Sequence, residues 1–410
     1  MARQNSGGRR ALVIGGSMSG LFAALLLRRA GFDVDVYERV ESELAGRGAG
    51  IVAQPELIET LRSFEVETRD LGVQVKFRKI LDREGRIVSR RECPQVMTAW
   101  ERVYRILRDR FGPARYHRGA SLKDFTQDSH SVTAHFADGS AVEADLLIGA
   151  DGLRSTVRQQ CLPDVVPLYA GYAAWRAMIA EDAMPPSLRD ALPFDEMTFC
   201  LPPGEQIIGY PVAGPDNDLR VGHRRYNVIW YRPADEATEL KRLLTDDHGV
   251  THAISIPPKL IRHAAIADMR AAAERLLAPQ LRDVVRLFDE PLLQPIYDLE
   301  SPRMAFGRVA VIGDAAFVAR PHVGAGVSKA AGDAAAIVAA LAIHGDVAPA
   351  LLAFEKERLS VGRRIIERAR HLGAFLQAEQ RTEEERAYSA RHSIPDAVLA
   401  ETALVDFLEA

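Results

Sequence analysis

A glycine turn between an apolar run and a helical run is the feature that most constrains how this chain can fold. Residues 11–14 (ALVI) are typical of a buried strand of a parallel sheet, and residues 15–20 (GGSMSG) follow at once. Residues 21–30 then predict a helix, and residues 33–37 predict a second strand. The segment 10–39 is therefore a predicted βαβ unit.

This unit has the residues of a dinucleotide site. Glycines allow a tight turn and a close approach of the backbone to a pyrophosphate, and the N-terminus of the helix offers free N–H groups. Glu38, at the end of the second strand, is placed to accept a hydrogen bond from a ribose hydroxyl, which favours FAD or NAD over NADP. Ser17 stands at the second glycine of the G-x-G-x-x-G pattern, so an ordinary strand-turn-helix is the alternative.

The composition is that of a globular protein with more than one domain. The chain has 410 residues, of which 47% are hydrophobic and 26% charged, and this excludes a disordered or coiled-coil chain. A net charge of -4 gives no electrostatic footprint for nucleic acid. Three scattered cysteines predict neither a disulfide framework nor a metal site, and they fit a reducing cytoplasm. The apolar run near the N-terminus contains the glycine turn and ends on Arg28 and Arg29, so we expect neither an export signal nor a membrane segment.

Two later strands also end in acid-bearing turns. Residues 141–152 (AVEADLLIGADG) predict a strand that leads into Asp151 and Gly152. Residues 308–314 (RVAVIGD) repeat the pattern and are followed by a glycine-bearing loop at 321–326. The residues between these blocks differ in character: 166–295 is richer in proline and aromatic residues and has alternating stretches, which predict an antiparallel sheet.

The expected architecture is an α/β fold with two domains. A discontinuous dinucleotide-binding domain is expected at 1–75, 100–165 and 296–378, and a substrate domain of α+β type at 76–99 and 166–295. Helical interruptions are expected in the second domain at 265–277 and 281–288, beyond a break at Pro279, and a weakly patterned tail is expected at 379–410.

The three turns in this order, GGSMSG…E, GADG and GDAA…P…GAG, resemble the single-component FAD-dependent aromatic hydroxylases of the para-hydroxybenzoate hydroxylase superfamily. The phrases GRGAGIVAQPEL, FGPARYH and GYAAWR are most similar to the 2,6-dihydroxypyridine 3-monooxygenase branch of that superfamily. The resemblance implies a Rossmann-like FAD-binding domain of the glutathione-reductase type, with an inserted substrate domain built on an antiparallel sheet and with C-terminal helices.

The resemblance also implies which residues hold FAD. Gly48 and Ala49 belong to one of these segments, beside the flavin. The predicted cofactor-binding residues are Gly15, Gly16, Ser17, Met18, Ser19, Gly20, Glu38, Arg39, Gly50, Ile51, Leu122, Asp151, Gly152, Gly313, Asp314, Pro321, Gly324, Ala325 and Gly326.

This sequence departs from the family pattern at three positions. Trp100 stands where much of the superfamily has an arginine, and whether Arg102 or Arg105 replaces that arginine is left open. Phe317 and Ser328 stand where a histidine and an asparagine are frequent. The flavin contacts of the 321–326 region are therefore less specified than the fold.

The reaction that the resemblance implies needs no metal. NADH or NADPH reduces FAD, O2 forms a C4a-hydroperoxyflavin, and a hydroxylated aromatic or N-heteroaromatic ring, such as a dihydroxypyridine, is hydroxylated. The alternatives are a flavin-dependent reductase or desaturase on the same fold and a non-catalytic dinucleotide-binding protein. Neither nucleic acid nor a membrane is an expected partner, and a homodimer is left open.

Three side chains are candidates for contact with the substrate. His322, in the loop predicted to face the flavin, is the first candidate for a base, against a histidine that simply bonds to the backbone. Tyr210 is a candidate for a hydroxyl that meets a polar ring substituent, against a core tyrosine. Arg176 offers a planar cation to an anionic flavin or substrate, against an ion pair across the domain interface.

Overall fold

The computed structural model describes residues 9–44 and 50–408, so the predicted flavin neighbours Gly48 and Ala49 lie outside the described residues. The strands are β1 (Arg10–Ile14), β2 (Asp33–Glu38), β3 (Gly50–Val52), β4 (Val73–Leu81), β5 (Ile87–Ala99), β6 (Tyr116–Arg118), β7 (Leu122–Gln127), β8 (Val132–Phe136), β9 (Ala141–Ala144), β10 (Leu146–Gly149), β11 (Leu168–Ala180), β12 (Glu196–Cys200), β13 (Gln206–Val212), β14 (Arg225–Pro233), β15 (Leu292–Glu300), β16 (Ala305–Phe306), β17 (Val309–Val311) and β18 (Phe317–Val318). The helices are α1 (Met18–Arg29), α2 (Pro55–Ser63), α3 (Trp100–Phe111), α4 (Thr156–Cys161), α5 (Pro186–Ala191), α6 (Lys241–Leu243), α7 (His263–Leu276), α8 (Pro279–Arg286), α9 (Gly326–His344), α10 (Val347–Gly373), α11 (Glu383–His392) and α12 (Pro395–Glu401).

A six-stranded sheet forms the core of the first domain. Its order is β16-β17-β10-β1-β2-β6, and the β1 pairs with β2 and β10 are parallel. Ala11, Leu12 and Val13 of β1 are fully buried, because helices and neighbouring strands cover both faces of a parallel sheet. The predicted βαβ unit and the Rossmann-like fold class are confirmed.

A nine-stranded sheet forms the second domain, in the order β18-β15-β11-β14-β13-β12-β4-β5-β3. The pairs among β11, β13, β14 and β15 are antiparallel, and the pair of β12 with β4 is parallel. The expected boundaries at 75/76 and 295/296 lie inside β4 and β15. Both strands belong to the nine-stranded sheet over their full length, so the expected boundaries do not coincide with the strand ends.

The nine-stranded sheet has two differently covered faces. On β11, Ala173 and Trp175 pack in a cluster with residues of α7 and α8. Tyr172 and Ala174 pack on the opposite face, because successive side chains of a strand point to opposite sides. This second face contacts the 321–326 loop through Tyr172, and we call it the inner face.

The alanine-rich helix α9 packs between α1 and α10. By length and composition it is the one helix among residues 9–44 and 50–408 that is apolar enough to cross a membrane. It carries Lys329 and Asp333, both buried inside the protein. α9 is therefore packed inside the protein.

Candidate functional site

The glycine turn after β1 has no room for side chains. Gly15 has φ +104°, and a Cβ there would lie 2.3 Å from the carbonyl oxygen of Ala150. A Cβ on Gly20 would lie 1.8 Å from the carbonyl oxygen of Gly15, and one on Gly16 would lie 2.2 Å from the hydroxyl of Tyr116. The first turn of α1 can therefore approach β10 only because these positions are glycine.

Glu38 braces this turn. Its Oε2 accepts from the backbone N–H of Gly16 at 2.8 Å, and its Oε1 accepts from the N–H of Val40 at 2.9 Å. A carboxylate has about four acceptor positions, so two are left for a ligand hydroxyl. The acid predicted from the end of β2 thus fixes the geometry of the turn and keeps acceptor capacity at the edge of a neighbouring cavity.

A cavity of about 280 Å³ opens beside the turn. Seven of the predicted cofactor residues line it: Gly15, Ser17, Glu38, Arg39, Leu122, Asp151 and Gly152. Residues that sequence reasoning did not assign to it also line it: Ile14, Tyr37, Val40, Leu44, Trp100, Ala120, Ser121, Ala150 and Thr156. Five of these nine precede a predicted residue by one or two positions, and Val40 and Thr156 follow one, so the segments that carry the motifs were the available signal.

Trp100 itself occupies the cavity wall where the family has an arginine. Its ring stacks on Tyr104, with 5.1 Å between ring centroids. Arg102 and Arg105 line a different cavity, and Arg105 forms ion pairs there with Glu101 and Asp216. Neither arginine therefore takes over the missing cation at the cofactor cavity.

The carboxylate of Asp151 is hydrogen-bonded to the start of α4. It accepts from the Ser155 hydroxyl and from the backbone N–H of Thr156 at 2.7 Å. Burial raises the pKa of this carboxyl, although these hydrogen bonds oppose the shift. The side chain stabilises the N-terminus of a helix, and the backbone of Asp151 and Gly152 forms the cavity wall.

The turn after β17 meets the first glycine turn. Gly313 has φ +58°, and a Cβ there would lie 2.1 Å from the Ser19 hydroxyl oxygen. The N–H of Gly313 donates to Asp333 at 3.0 Å, and Asp333 also pairs with Arg358 at 2.8 Å. The Asp314 side chain stays 59% exposed although its neighbours in this turn are buried. Ser19, Gly313 and Asp314, predicted from separate motifs, are therefore brought together.

His322 is buried against two tyrosines of the inner face. Its Nε2 lies 2.8 Å from the Tyr172 hydroxyl, and its ring centroid lies 4.4 Å from that of Tyr231. Burial, with the nearby Arg320 charge as a second cause, lowers the pKa of His322 to about 3. A neutral imidazole with this pKa is a weak base, so these surroundings favour a positioning or contact role over proton removal.

This environment predicts how stability depends on pH. Only the unfolded chain protonates His322 between its ordinary pKa of 6.5 and the folded value of about 3, so the His322 contribution is present at neutral pH and is lost as pH falls through that window. We expect His322→Phe to flatten this part of the curve of unfolding free energy against pH. Denaturant titrations of both proteins from pH 4 to pH 8 measure it, and parallel curves would contradict the assignment.

Tyr210 lies on the inner face with its hydroxyl on the backbone. The hydroxyl donates to the Gly50 carbonyl at 2.9 Å, and burial raises the Tyr210 pKa to about 12. Asn227, opposite Tyr210 in the register, lies within 3.4 Å of the Gly50 N–H through its Oδ1. The segment that begins at Gly50 is thus held from both sides, and a direct contact of Tyr210 with substrate stays a prediction.

The C-terminal residues 395–408, which we call the C-terminal strap, cover the 321–326 loop. The N–H of Ala403 donates to the His322 carbonyl at 2.7 Å, and the amide of Gln95 donates to the Ala403 carbonyl at 2.9 Å. Fully buried Arg78 donates to the carbonyls of Leu399 and Thr402 at 3.1 and 2.6 Å. Sequence reasoning missed this strap because its contacts join residues far apart in the chain, as in the Ala403 pair with His322 and the Arg78 pair with Thr402.

Three family models match the chain: an FAD binding domain-like family at 169–298, an NAD(P)-binding Rossmann-like domain at 13–64, and an FAD binding domain at 298–369. The 2,6-dihydroxypyridine 3-monooxygenase of Paenarthrobacter nicotinovorans is 34% identical over 90% of this chain and 91% of its own length. The 3-amino-4-hydroxybenzoate 2-monooxygenase of Streptomyces cremeus is 28% identical over 88% and 86%.

Solved structures agree with these sequence matches. The 2,6-dihydroxypyridine-3-hydroxylase of Arthrobacter nicotinovorans superposes with a TM-score of 0.85 at 33% identity, over 92% of this chain and 96% of that one. Klebsiella pneumoniae HpxO, in complex with FAD and uric acid, superposes with a TM-score of 0.74 at 22% identity, over 96% and 97%, and shows the shared fold.

Proposed function

The chain belongs to the FAD-dependent aromatic monooxygenases, and we propose that within this family it hydroxylates a hydroxylated N-heteroaromatic ring of the dihydroxypyridine class. It is a flavoprotein monooxygenase with FAD as cofactor and NAD(P)H as electron donor. In the balanced reaction, a ring C–H, O2, NAD(P)H and a proton give a ring C–OH, water and NAD(P)⁺. The observation that carries the substrate class is the 34% identity to a dihydroxypyridine monooxygenase over both nearly complete chains.

The described residues fit FAD. The cavity beside β1 lies at the N-terminus of α1 and is lined by Gly15, where a Cβ would clash, and by Glu38, which has acceptor capacity left. In the proposal, the turn 15–20 would bind the pyrophosphate of FAD, and Glu38 and Arg39 would bind its adenosine end. The Gly313-Asp314 turn would bind the ribityl or ribose part of FAD. The bound FAD supplies the activation of O2.

The surroundings of the 321–326 loop support a water-poor substrate site. Tyr172, Tyr231 and His322 are almost fully buried, and the strap covers the loop from the other side. In the proposal, these rings would contact the flat face of the substrate, and the segment that begins at Gly50, held by Tyr210 and Asn227, would lie beside the flavin. Exclusion of water protects the oxygen transfer from competing release of H2O2.

We also infer a cytoplasmic location, and a homodimer is kept as part of the proposal. The three cysteines are free, and α9 is packed inside the protein. Size-exclusion chromatography with light scattering tests the dimer, because a single peak at 45.1 kDa would exclude it.

The decisive experiment measures NADH and NADPH oxidation, O2 uptake and product mass for FAD-loaded protein with hydroxypyridines, hydroxybenzoates and simple phenols. We expect stimulation by a dihydroxypyridine and a product that has gained one oxygen atom. A hydroxybenzoate as sole substrate would move the proposal to a carbocyclic ring. O2 uptake without a hydroxylated product from any ring would favour the reductase or desaturase alternative.

A further inference from the structure

Arg176 lies on the inner face, the face of the sheet that the proposed function assigns to the substrate. Tyr172 and Ala174 of β11 lie on the inner face, and Arg176 follows them at the same alternation. Its register partner Ile229 belongs to the same face, next to Tyr231. Burial raises the pKa of Tyr210 and Tyr231, and the positive charge of Arg176 opposes that rise. The guanidinium therefore lies within electrostatic range of both rings.

Arg176 has no carboxylate as a partner. Its guanidinium donates to the amide oxygen of Gln294 at 2.5 Å, and among residues 9–44 and 50–408 it takes part in no ion pair. Its Nε is shielded from solvent and has no hydrogen-bond partner in the described part of the chain. A shielded donor without an acceptor is unfavourable, so a ligand acceptor at this position would recover a missing interaction.

Asn227 provides a second unused donor on the same face. It is fully buried, and its Oδ1 faces the Gly50 N–H. Its Nδ2 has no partner among the described residues. Asn227 is two positions from Ile229, the residue directly opposite Arg176, so the two donors are diagonal neighbours on adjacent strands.

Among residues 9–44 and 50–408, the tyrosines and the histidine of the inner face do not take a proton at neutral pH. Burial raises the pKa of the hydroxyls of Tyr172, Tyr210 and Tyr231, and burial lowers the pKa of His322 to about 3. The carboxylate of Asp298 on β15 is paired with Arg320 at 2.9 Å. The described residues named here therefore present donors and a positive charge, and none of them is a base.

We propose that Arg176, assisted by Asn227, binds the substrate as a ring oxyanion, the ionised form of a hydroxylated heteroaromatic ring. This inference rests on the proposed function and names the ionisation state that the site selects. The O–H bond of the ring hydroxyl breaks, its electron pair stays on oxygen, and its proton goes to solvent water. The oxyanion raises the electron density of the ring carbons next to and opposite it, so the ring becomes a better nucleophile for the transferred oxygen.

The test compares wild type, Arg176→Met and Arg176→Lys across pH, with hydroxypyridines whose free hydroxyl pKa values are graded by ring fluorination. Because Arg176 stabilises the anion, KM of the wild type should stay low to a pH below the free substrate pKa. In Arg176→Met, KM should rise about 10- to 100-fold at neutral pH. The inflection of KM against pH in this variant should move up to the hydroxyl pKa of the free substrate. Arg176→Lys should restore part of the affinity.

Two controls make the result interpretable. Arg275→Met removes an exposed arginine of α7, on the other side of the sheet, and should leave KM and its pH profile unchanged. The absorbance spectrum and reduction potential of the bound flavin, measured without substrate, should be the same in wild type and Arg176→Met. A shifted potential would assign Arg176 to the flavin and overturn the inference.

The remaining outcomes separate the two levels of the proposal. If wild type hydroxylates a ring and Arg176→Met matches its KM and pH profile, the inference fails and the proposed function stands. If wild type hydroxylates no ring of the panel, both fail. In Arg176→Met, KM could rise equally for neutral rings without a hydroxyl group. That result would indicate lost packing and would also overturn the inference about Arg176.

Discussion

Gly15→Ala is expected to yield a protein that no longer retains FAD. The new Cβ would lie 2.3 Å from the carbonyl oxygen and 2.6 Å from the carbonyl carbon of Ala150, which are backbone atoms of a buried strand end and cannot rotate away. Gly15 also has φ +104°, which costs a non-glycine residue on the order of 1–3 kcal/mol. Relief requires that β1 and the start of α1 move away from β10, and the pyrophosphate position moves with them. We expect a loss of FAD affinity of more than about 100-fold.

The matched control for this variant is Gly112→Ala. Gly112 also has a positive φ, +80°, but a Cβ there would have nothing within 4 Å, so it isolates the cost of the backbone conformation from the clash. The ratio of flavin absorbance to protein absorbance after desalting, and the dissociation constant from flavin fluorescence, measure both variants. Equal FAD retention by the two alanine variants would show that the close approach at Gly15 is unnecessary for binding.

Local patterns were sufficient for much of the fold. The βαβ unit followed from residues 10–39, and the alternating stretches at 206–210 and 226–231 lie in β13 and β14. The expected break near Pro279 is present, since α7 ends at Leu276 and α8 begins at Pro279. The start of α8 was less accurate: the helix begins at Pro279 and not at Leu281, because the missing N–H of proline is unused in the first turn of a helix.

The weakly patterned end of the chain shows a second limit. α11 begins with a capping box in which Thr382 and Glu385 satisfy each other's backbone N–H groups. That signal was present as T-x-x-E, but the helix has no apolar stripe and so gave no periodicity. The strap that follows is held by contacts to distant residues, which a local pattern does not contain.

The candidate site shows the same difference between residues of one local turn and residues that meet only through the tertiary fold. Residues that belong to one turn, such as Gly15, Glu38 and Gly313, could be predicted as candidates because a turn is local in sequence. Tyr172 was missed as the partner of His322, since that pair spans 150 positions and depends on the register of β11 in the nine-stranded sheet. Phe317 departs from the family histidine and packs in the core, where it would meet any Cβ on Gly362 of α10.

The strap joins these distant parts, and Arg78→Met tests what it does. Arg78 is fully buried on β4 and donates to the carbonyls of Leu399 and Thr402, and its NH2 also meets Gln95. Methionine fills a similar volume but leaves these carbonyls without a donor. We expect the free energy of unfolding to fall by about 2–4 kcal/mol, since each unsatisfied buried acceptor costs about 1–3 kcal/mol.

The same variant should release the cover of the 321–326 loop, because Thr402 is followed directly by Ala403, whose N–H holds the His322 carbonyl. Water would then reach the site, and a larger share of NAD(P)H should be oxidised with release of H2O2 in place of ring hydroxylation. Denaturant titration measures the stability, and H2O2 and hydroxylated product per NAD(P)H measure the coupling, with Arg275→Met as the control for loss of an arginine. A less stable Arg78→Met protein with unchanged coupling would make the strap a purely structural element, and unchanged values of both would show that these hydrogen bonds do not hold it.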